Sequence, residues 1–182
     1  MNEMGGKAGT VAAKALLGGT AAADLSSDSI NSLDGILRDV GVYSTSFPDE
    51  HQAKDFVSHL TRGLLKVQHI HPGRITCLFT VMPAILNAFG GMHGGAVGAL
   101  AERVAIACAR TVVGEEKELF LGELSMSYLS SAPLNAEVRI HGSVVRSGRN
   151  LTVVAVEFKL KDSDKLTYLS RATLYHSPAA SL

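Results

Sequence analysis

The chain has 182 residues, 46% of them apolar and 19% charged, a balance that suits one folded domain with one core and argues against a disordered chain. Basic and acidic residues cancel to a formal net charge of zero, which argues against a broad basic face for a nucleic-acid backbone and leaves any anionic ligand to a helix N-terminus or a few placed arginines. No uninterrupted apolar run reaches the roughly 18 residues of a membrane span, and Trp is absent.

Residues 1–29 are rich in Ala, Gly, Ser and Thr without a sustained period and read as a mobile tail. The basic residues there are only Lys7 and Lys14, set against Glu3, Asp24 and Asp28, whereas transit peptides are Arg-rich and poor in acids. Residues 30–66 read as an N-terminal helical cover. Ile30 to Val42 is either a short helix or an irregular segment. Pro48, Asp49 and Glu50 open an amphipathic stretch with Phe56, Leu60 and Leu64 at helical spacing.

The main domain is placed at 67–178. His69 and His71 share a face if their segment is extended, but no third or fourth ligand accompanies them, so they read as surface histidines and no metal site is expected. Arg74 to Met82 reads as a strand, with Ile75, Cys77, Phe79 and Val81 on one face. Cys77 and Cys108 both sit in apolar runs and read as reduced core thiols. A glycine-rich loop from Asn87 to Gly95 leads into Ala96–Val113, read as one long buried helix between Gly95 and Gly114. Extended runs follow at Leu119–Ser130, Glu137–Val145, Leu151–Leu160 and Leu166–His176, with turn signals at Arg146–Asn150 and Asp162–Asp164. The chain ends Ala180, Ser181, Leu182, which lacks the central basic residue of the peroxisomal Ser-Lys-Leu address; cytosol, mitochondrion and peroxisome all stay open.

A helix apolar nearly all round must be covered on most sides. The simplest solution is an α+β architecture with one antiparallel sheet wrapped around one long central helix, its edges free to pair with a second subunit.

The glycine loop lacks the Gly-Lys-Ser/Thr of a P-loop, and the strand-only chain beyond Gly114 excludes a dinucleotide fold. There is also no Gly-x-Ser-x-Gly elbow for a serine hydrolase. What remains is a helix N-terminus with backbone N–H groups around His93, Gly94 and Gly95, able to polarise a carbonyl and hold the oxyanion formed on attack. The glycines equally permit close packing of helix on sheet, and local chemistry does not separate the two. His93 either takes part in the chemistry or orients the loop. Glu102 has Gly98, Ala99, Ala105 and Ile106 as helical neighbours; a carboxylate on that face is expected to be desolvated, with a raised pKa suited to a general base, unless it marks a wet stripe beside Arg103. Glu102 follows Gly94 by eight residues, roughly 12 Å at about 1.5 Å per residue, too far for both to reach one carbon within one chain. Two such helices antiparallel across a two-fold axis bring Gly94 of one to Glu102 of the other.

The spacing Asn-x5-His-Gly-Gly-x6-acid, carried here by Asn87, His93, Gly94, Gly95 and Glu102, resembles the active-site signature of hot-dog acyl-CoA thioesterases, including the phenylacetate-pathway, small mitochondrial-type and 4-hydroxybenzoyl-CoA branches. The resemblance covers about Ile70 to His176. It implies a hot-dog fold and hydrolysis of an acyl-CoA to free acid and CoA. The Gly94 N–H would bind the thioester carbonyl, Asn87 would help position it, and Glu102 would activate water or attack directly. His93 and Gly95 would line the substrate, and Arg146, Ser147, Gly148 and Arg149 would meet the CoA phosphates. Some relatives carry a Ser or Thr where this chain has Leu121 and Gly122, so that helper is missing, with Ser125 and Ser127 the nearest hydroxyls. No cofactor is implied beyond the CoA of the substrate. The implied partners are an acyl-CoA and further copies of the chain, as a dimer or a dimer of dimers. A non-catalytic acyl-CoA-binding module on the same fold is the alternative; a hot-dog hydratase would show a different His/Asp pattern.

Overall fold

The computed structural model describes residues 56–178, together with Asn31 and Gly35. The chain divides into two compact units, Met1–Ala53 and Lys54–Leu182, and every element below lies in the second. The expectations for the tail at 1–29, for Ile30–Val42 and for the start of the stretch after Pro48 lie outside the described residues.

The helical spacing of Leu60 and Leu64 is realised in helix α1 (Phe56–Leu64), which buries Leu64 and packs Leu60 against the core while Val57 stays exposed. Strand β1 (Lys66–His71) is exposed along its whole length, a strand the sequence pattern does not reveal. Gly73, at φ +73°, turns the chain into β2 (Arg74–Thr80), where Ile75, Cys77 and Phe79 alternate inward as their spacing requires. A single 3-10 turn, Pro83–Ile85, and the glycine loop lead to helix α2 (Gly94–Arg110). Then come β3 (Lys117–Tyr128), β4 (Glu137–Ser147), β5 (Leu151–Leu160) and β6 (Leu166–Pro178).

The six strands form one antiparallel sheet in the order β1-β2-β4-β5-β6-β3, with β1 and β3 at its edges. Helix α2 lies against β2 to β6. Val97, Leu100, Ala101, Val104 and Cys108 are buried on the sheet with Ile140, Val154, Phe158 and Leu174. Each large side chain so buried contributes about 1.5–3 kcal/mol. Gly142 sets the closeness of the two layers: a Cβ there would meet Ile75 Cγ2 at 2.9 Å and Val104 Cγ1 at 3.0 Å. This is the hot-dog arrangement implied by the sequence.

Several boundaries differ from the sequence reading, among them the ends of β2 and β3, both ends of α2 and the end of β4. Helix α2 starts two residues earlier than Ala96 and ends at Arg110 rather than Val113. Its end is set by Thr111, whose Oγ1 donates to Cys108 O at 2.6 Å and accepts the Gly73 N–H at 2.7 Å. Arg146 and Ser147 belong to β4, so the hairpin turn is confined to 148–150. The helix is also less fully covered than its composition suggests: Gly95, Arg103, Ala107 and Arg110 are exposed, and Gly98, Ala99, Glu102 and Ile106 are only half-buried.

Candidate active site

Asn87 closes the loop that precedes α2. Its Oδ1 accepts the N–H groups of Phe89 at 3.0 Å and Gly91 at 3.1 Å, the side chain standing in for a backbone turn. Its own N–H donates to Gly91 O at 2.8 Å, and Gly90 N donates back to Asn87 O at 3.1 Å. Gly90 takes φ +77°, which a side chain would oppose. The loop is strapped on both sides: Met92 N donates to Ala132 O at 2.9 Å, and His93 N to Ile85 O at 2.8 Å.

The strapping decides which donors remain. His93, with extended backbone, is the N-cap of α2, and its Nδ1 accepts the Gly95 N–H at 3.0 Å. That cap compensates for two glycines at the start of the helix. Of the three N–H groups expected to be free, those of His93 and Gly95 are therefore used inside the chain. The first-turn N–H groups of Gly94 and Ala96 have no partner among the described residues. Both sit at the positive end of the helix dipole.

A cavity of about 270 Å³ opens beside Gly94, lined by Asn87, Met92, Tyr128, Ser130, Ser131 and Tyr168. The Asn87 Nδ2 has no hydrogen-bond partner among the described residues. Tyr128, the last residue of β3, donates its hydroxyl to Gly94 O at 3.2 Å and meets the Tyr168 ring edge-on at 5.9 Å. The Tyr168 hydroxyl accepts the Ala132 N–H at 3.0 Å. Burial pushes the Tyr168 pKa up, against hydrogen bonds at Ala132 and Ser131, so it stays a neutral phenol. The sequence reading missed Tyr128, Ser130, Ser131 and Tyr168, because β3, β6 and the segment after β3 meet the glycine loop only in the fold.

Among the described residues no carboxylate lines this cavity. Glu102 stands two turns along α2 and is half-buried, so one chain supplies only part of the desolvation expected for it. It has no ion pair among the described residues. Arg103 is not its partner: Arg103 Nη2 donates to Ser58 Oγ on α1 at 2.8 Å. At the helper position β3 bulges between Leu121 and Glu123, and the Ser125 hydroxyl is bonded to Arg171 O at 3.4 Å.

The structure brings Asn87, His93, Gly94 and Gly95 together but places the hairpin elsewhere. Arg146, Ser147, Gly148 and Arg149 are all exposed. Arg149 O accepts from Lys117 Nζ at 3.3 Å, at the first residue of β3, whereas Gly94 lies at its last. From Lys117 to Tyr128 is roughly 36 Å at about 3.3 Å per residue. The hairpin thus lies at the opposite end of the protomer from its own Gly94. Among the described residues no group of three or more His, Cys, Asp or Glu is placed to hold a metal ion, and no helix is long and apolar enough to cross a membrane.

The sequence profile of the thioesterase superfamily matches residues 89–167, which span the glycine loop, α2 and the strands through the start of β6. Human acyl-coenzyme A thioesterase 13 is 27% identical over 115 residues, covering 61% of this chain and 79% of that protein. A Caenorhabditis elegans protein provisionally named an esterase is 29% identical over 105 residues, and the match covers 58% of this chain and 62% of the worm protein's length. Among solved structures, a hypothetical thioesterase from Streptococcus pneumoniae, determined with coenzyme A, superposes with a TM-score of 0.58 at 19% identity, over 64% of this chain and 91% of that one.

Proposed function

We propose that this chain is a thioester hydrolase of the thioesterase superfamily and that its substrate is an acyl-CoA, cleaved at a site shared between two copies of the chain. The observation that carries this reading is a separation. Among the described residues, the Gly94 N–H is unpaired at the wall of a cavity without a carboxylate, while Glu102, an acid without an ion pair, lies half-buried about 12 Å away along the same helix. Two α2 helices running antiparallel across a two-fold axis cancel that separation, giving two equivalent sites. The same symmetry carries the hairpin of the partner subunit toward Gly94, where Arg146 and Arg149 would meet the CoA phosphates with Ser147 and Gly148 in the turn. Edge strand β3, whose last residue Tyr128 bonds to Gly94 O, has no strand on its outer side among the described residues and would pair across that axis.

In this reading the thioester carbonyl oxygen accepts from Gly94 N–H and Asn87 Nδ2. Glu102 of the partner subunit takes a proton from water as the water oxygen bonds to the carbonyl carbon. The oxyanion is held by the same donors, which need no reorganisation, and one such donor is worth about 10²–10³ in rate. Collapse breaks the C–S bond, and the proton passes from Glu102 to the departing sulfur. The products are the free acid and CoA thiol. General-base action supplies about 10²–10⁴ more.

The test is release of CoA thiol from acyl-CoAs by the parent, by Glu102→Ala and by Gly94→Val. Each variant alone should be inactive. Mixed after partial unfolding and reassociation, they should recover about a quarter of parent activity, because half the dimers are mixed and each mixed dimer holds one intact site. Recovery of nothing, with mixed dimers demonstrated by mass, rejects the shared site. A fully active Glu102→Ala rejects the acid.

A further inference from the structure

A second cavity, of about 320 Å³, lies on the other side of the α2 N-terminus from the one that holds Gly94. Its roof is α1, through Val57, Leu60, Thr61 and Leu64, and its floor is the 3-10 turn and the first turns of α2, through Ile85, Leu86, Ala96 and Ala99. The two cavities divide the loop between them: Asn87, Met92 and Gly94 face the first, and Leu86, His93 and Gly95 the second. They differ in chemistry. The first holds the hydroxyls of Tyr128, Ser130, Ser131 and Tyr168. The wall of the second is aliphatic apart from Thr61 and His93: the His93 Nδ1 is taken by the Gly95 N–H, and the hydroxyl of Thr61 is spent on α1's own carbonyls of Val57 and Ser58, at 2.9 and 3.1 Å.

A thioester carbonyl carbon carries two substituents that point away from each other, the acyl chain and the sulfur. A carbonyl held on the first turn of α2 has one cavity on each side of it. We infer that the cavity under α1 receives the acyl chain, and that it selects a medium-length aliphatic acyl group; this rests on the acyl-CoA hydrolase reading above. At about 30 Å³ per heavy atom, the volume of a water in the liquid, it holds on the order of ten carbons. Apart from the His93 imidazole, the side chains that line it among the described residues are aliphatic or small, a surface that a flexible alkyl chain follows more closely than a rigid aryl ring. Helix α1, outside the span that matches the family profile, thereby becomes the specificity element of the enzyme.

The experiment measures kcat/KM for acetyl-, hexanoyl-, decanoyl-, palmitoyl- and phenylacetyl-CoA with the parent, Val57→Trp and Leu60→Ala, each checked for native circular dichroism and melting. Val57 is exposed at the rim, so a larger side chain there narrows the cavity without entering the core. One methylene in an apolar pocket is worth about 10–200-fold in selectivity. The parent should prefer decanoyl-CoA to acetyl-, palmitoyl- and phenylacetyl-CoA. The decanoyl-to-acetyl ratio should fall about tenfold or more in Val57→Trp, and Leu60→Ala should move the optimum toward palmitoyl-CoA. If the parent hydrolyses the panel but neither folded variant changes the length profile, or if phenylacetyl-CoA is preferred, the assignment of this cavity is overturned while the hydrolase reading stands. If Val57→Trp does not fold, the response of Leu60→Ala decides alone. If the parent hydrolyses no ester, the hydrolase reading fails and this assignment fails with it.

Discussion

The Tyr128 hydroxyl donates to the carbonyl oxygen of Gly94 at 3.2 Å, and its ring lies against the position a Gly94 side chain would take, with Cε1 3.4 Å from a Cβ built there. The last residue of β3 thus holds the first residue of α2, fixing the unpaired Gly94 N–H relative to the sheet. Tyr128→Phe keeps the ring and removes the bond, whose net worth is about 0.5–1.5 kcal/mol. Stability should fall by no more than that. Turnover should fall about threefold to tenfold with little change in KM, since the loss is one of placement. Denaturant melts run beside steady-state kinetics separate the two; an unchanged kcat would show that the bond is only structural.

Asn87 has a double position. Its Oδ1 closes the loop through two backbone N–H groups, while its Nδ2, without a partner among the described residues, is the donor that the proposed mechanism gives to the substrate carbonyl. Asn87→Asp keeps the acceptor and removes the donor, so the fold should be retained while kcat drops about 10²-fold, as for a lost oxyanion donor. Asn87→Ala removes both and should also cost about 1–2 kcal/mol of stability, since two N–H groups lose their acceptor. Equal kcat in Asp and wild type would confine Asn87 to the loop.

Much of this site was legible because its chemistry is local. Asn87, His93, Gly94 and Gly95 fall within nine consecutive residues, and a long apolar helix bounded by glycines is readable from composition alone. The start of α2 was misplaced because Gly94 and Gly95 are poor helix formers; what holds them is the His93 side chain, a cap outside the usual Ser, Thr, Asn and Asp. Strand β1 left no trace because an exposed edge with a register shift between Val67 and His69 has no buried alternation to read. Tyr128 and Tyr168 reach the loop through the pairing of β3 with β6, a long-range register that no local pattern encodes. The sequence leaves Glu102 between a desolvated apolar face and a wet stripe beside Arg103, because which of its helical neighbours are covered depends on the fold, and the single chain leaves it half-buried.

If the hairpin of the partner subunit holds the CoA phosphates, Arg149→Ala and Arg146→Ala should raise KM for acyl-CoAs and leave kcat in place. The arginines are solvent-exposed, so each contact is worth about 1 kcal/mol or less, roughly a fivefold rise in KM, and the effect should shrink at high salt. An acyl-pantetheine, which lacks the nucleotide, should not distinguish parent from variant. An equal KM rise for both substrates would place the arginines elsewhere in the mechanism.

Cys108 gives the fold a pH limit. It is fully buried between α2 and the sheet, and burial pushes its thiol up to about 11 against backbone hydrogen bonds at Val144 and Ile75; Cys77 is raised for the same reason. Because the folded value lies above the unfolded one of about 8.5, the neutral thiol is favoured in the native state. The resulting stability is present in full below about pH 8.5 and is lost as pH rises through about 11, since the unfolded chain releases its thiol protons first. Tyr168, also raised, adds to the loss in the same direction at higher pH. The denaturation midpoint should therefore fall between pH 9 and 11, less steeply in Cys108→Ala than in the parent. At neutral pH neither thiol should react with an alkylating reagent until the chain is unfolded, when both should. Rapid labelling of Cys108 in the folded protein would mean that α2 leaves the sheet far more often than its packing allows.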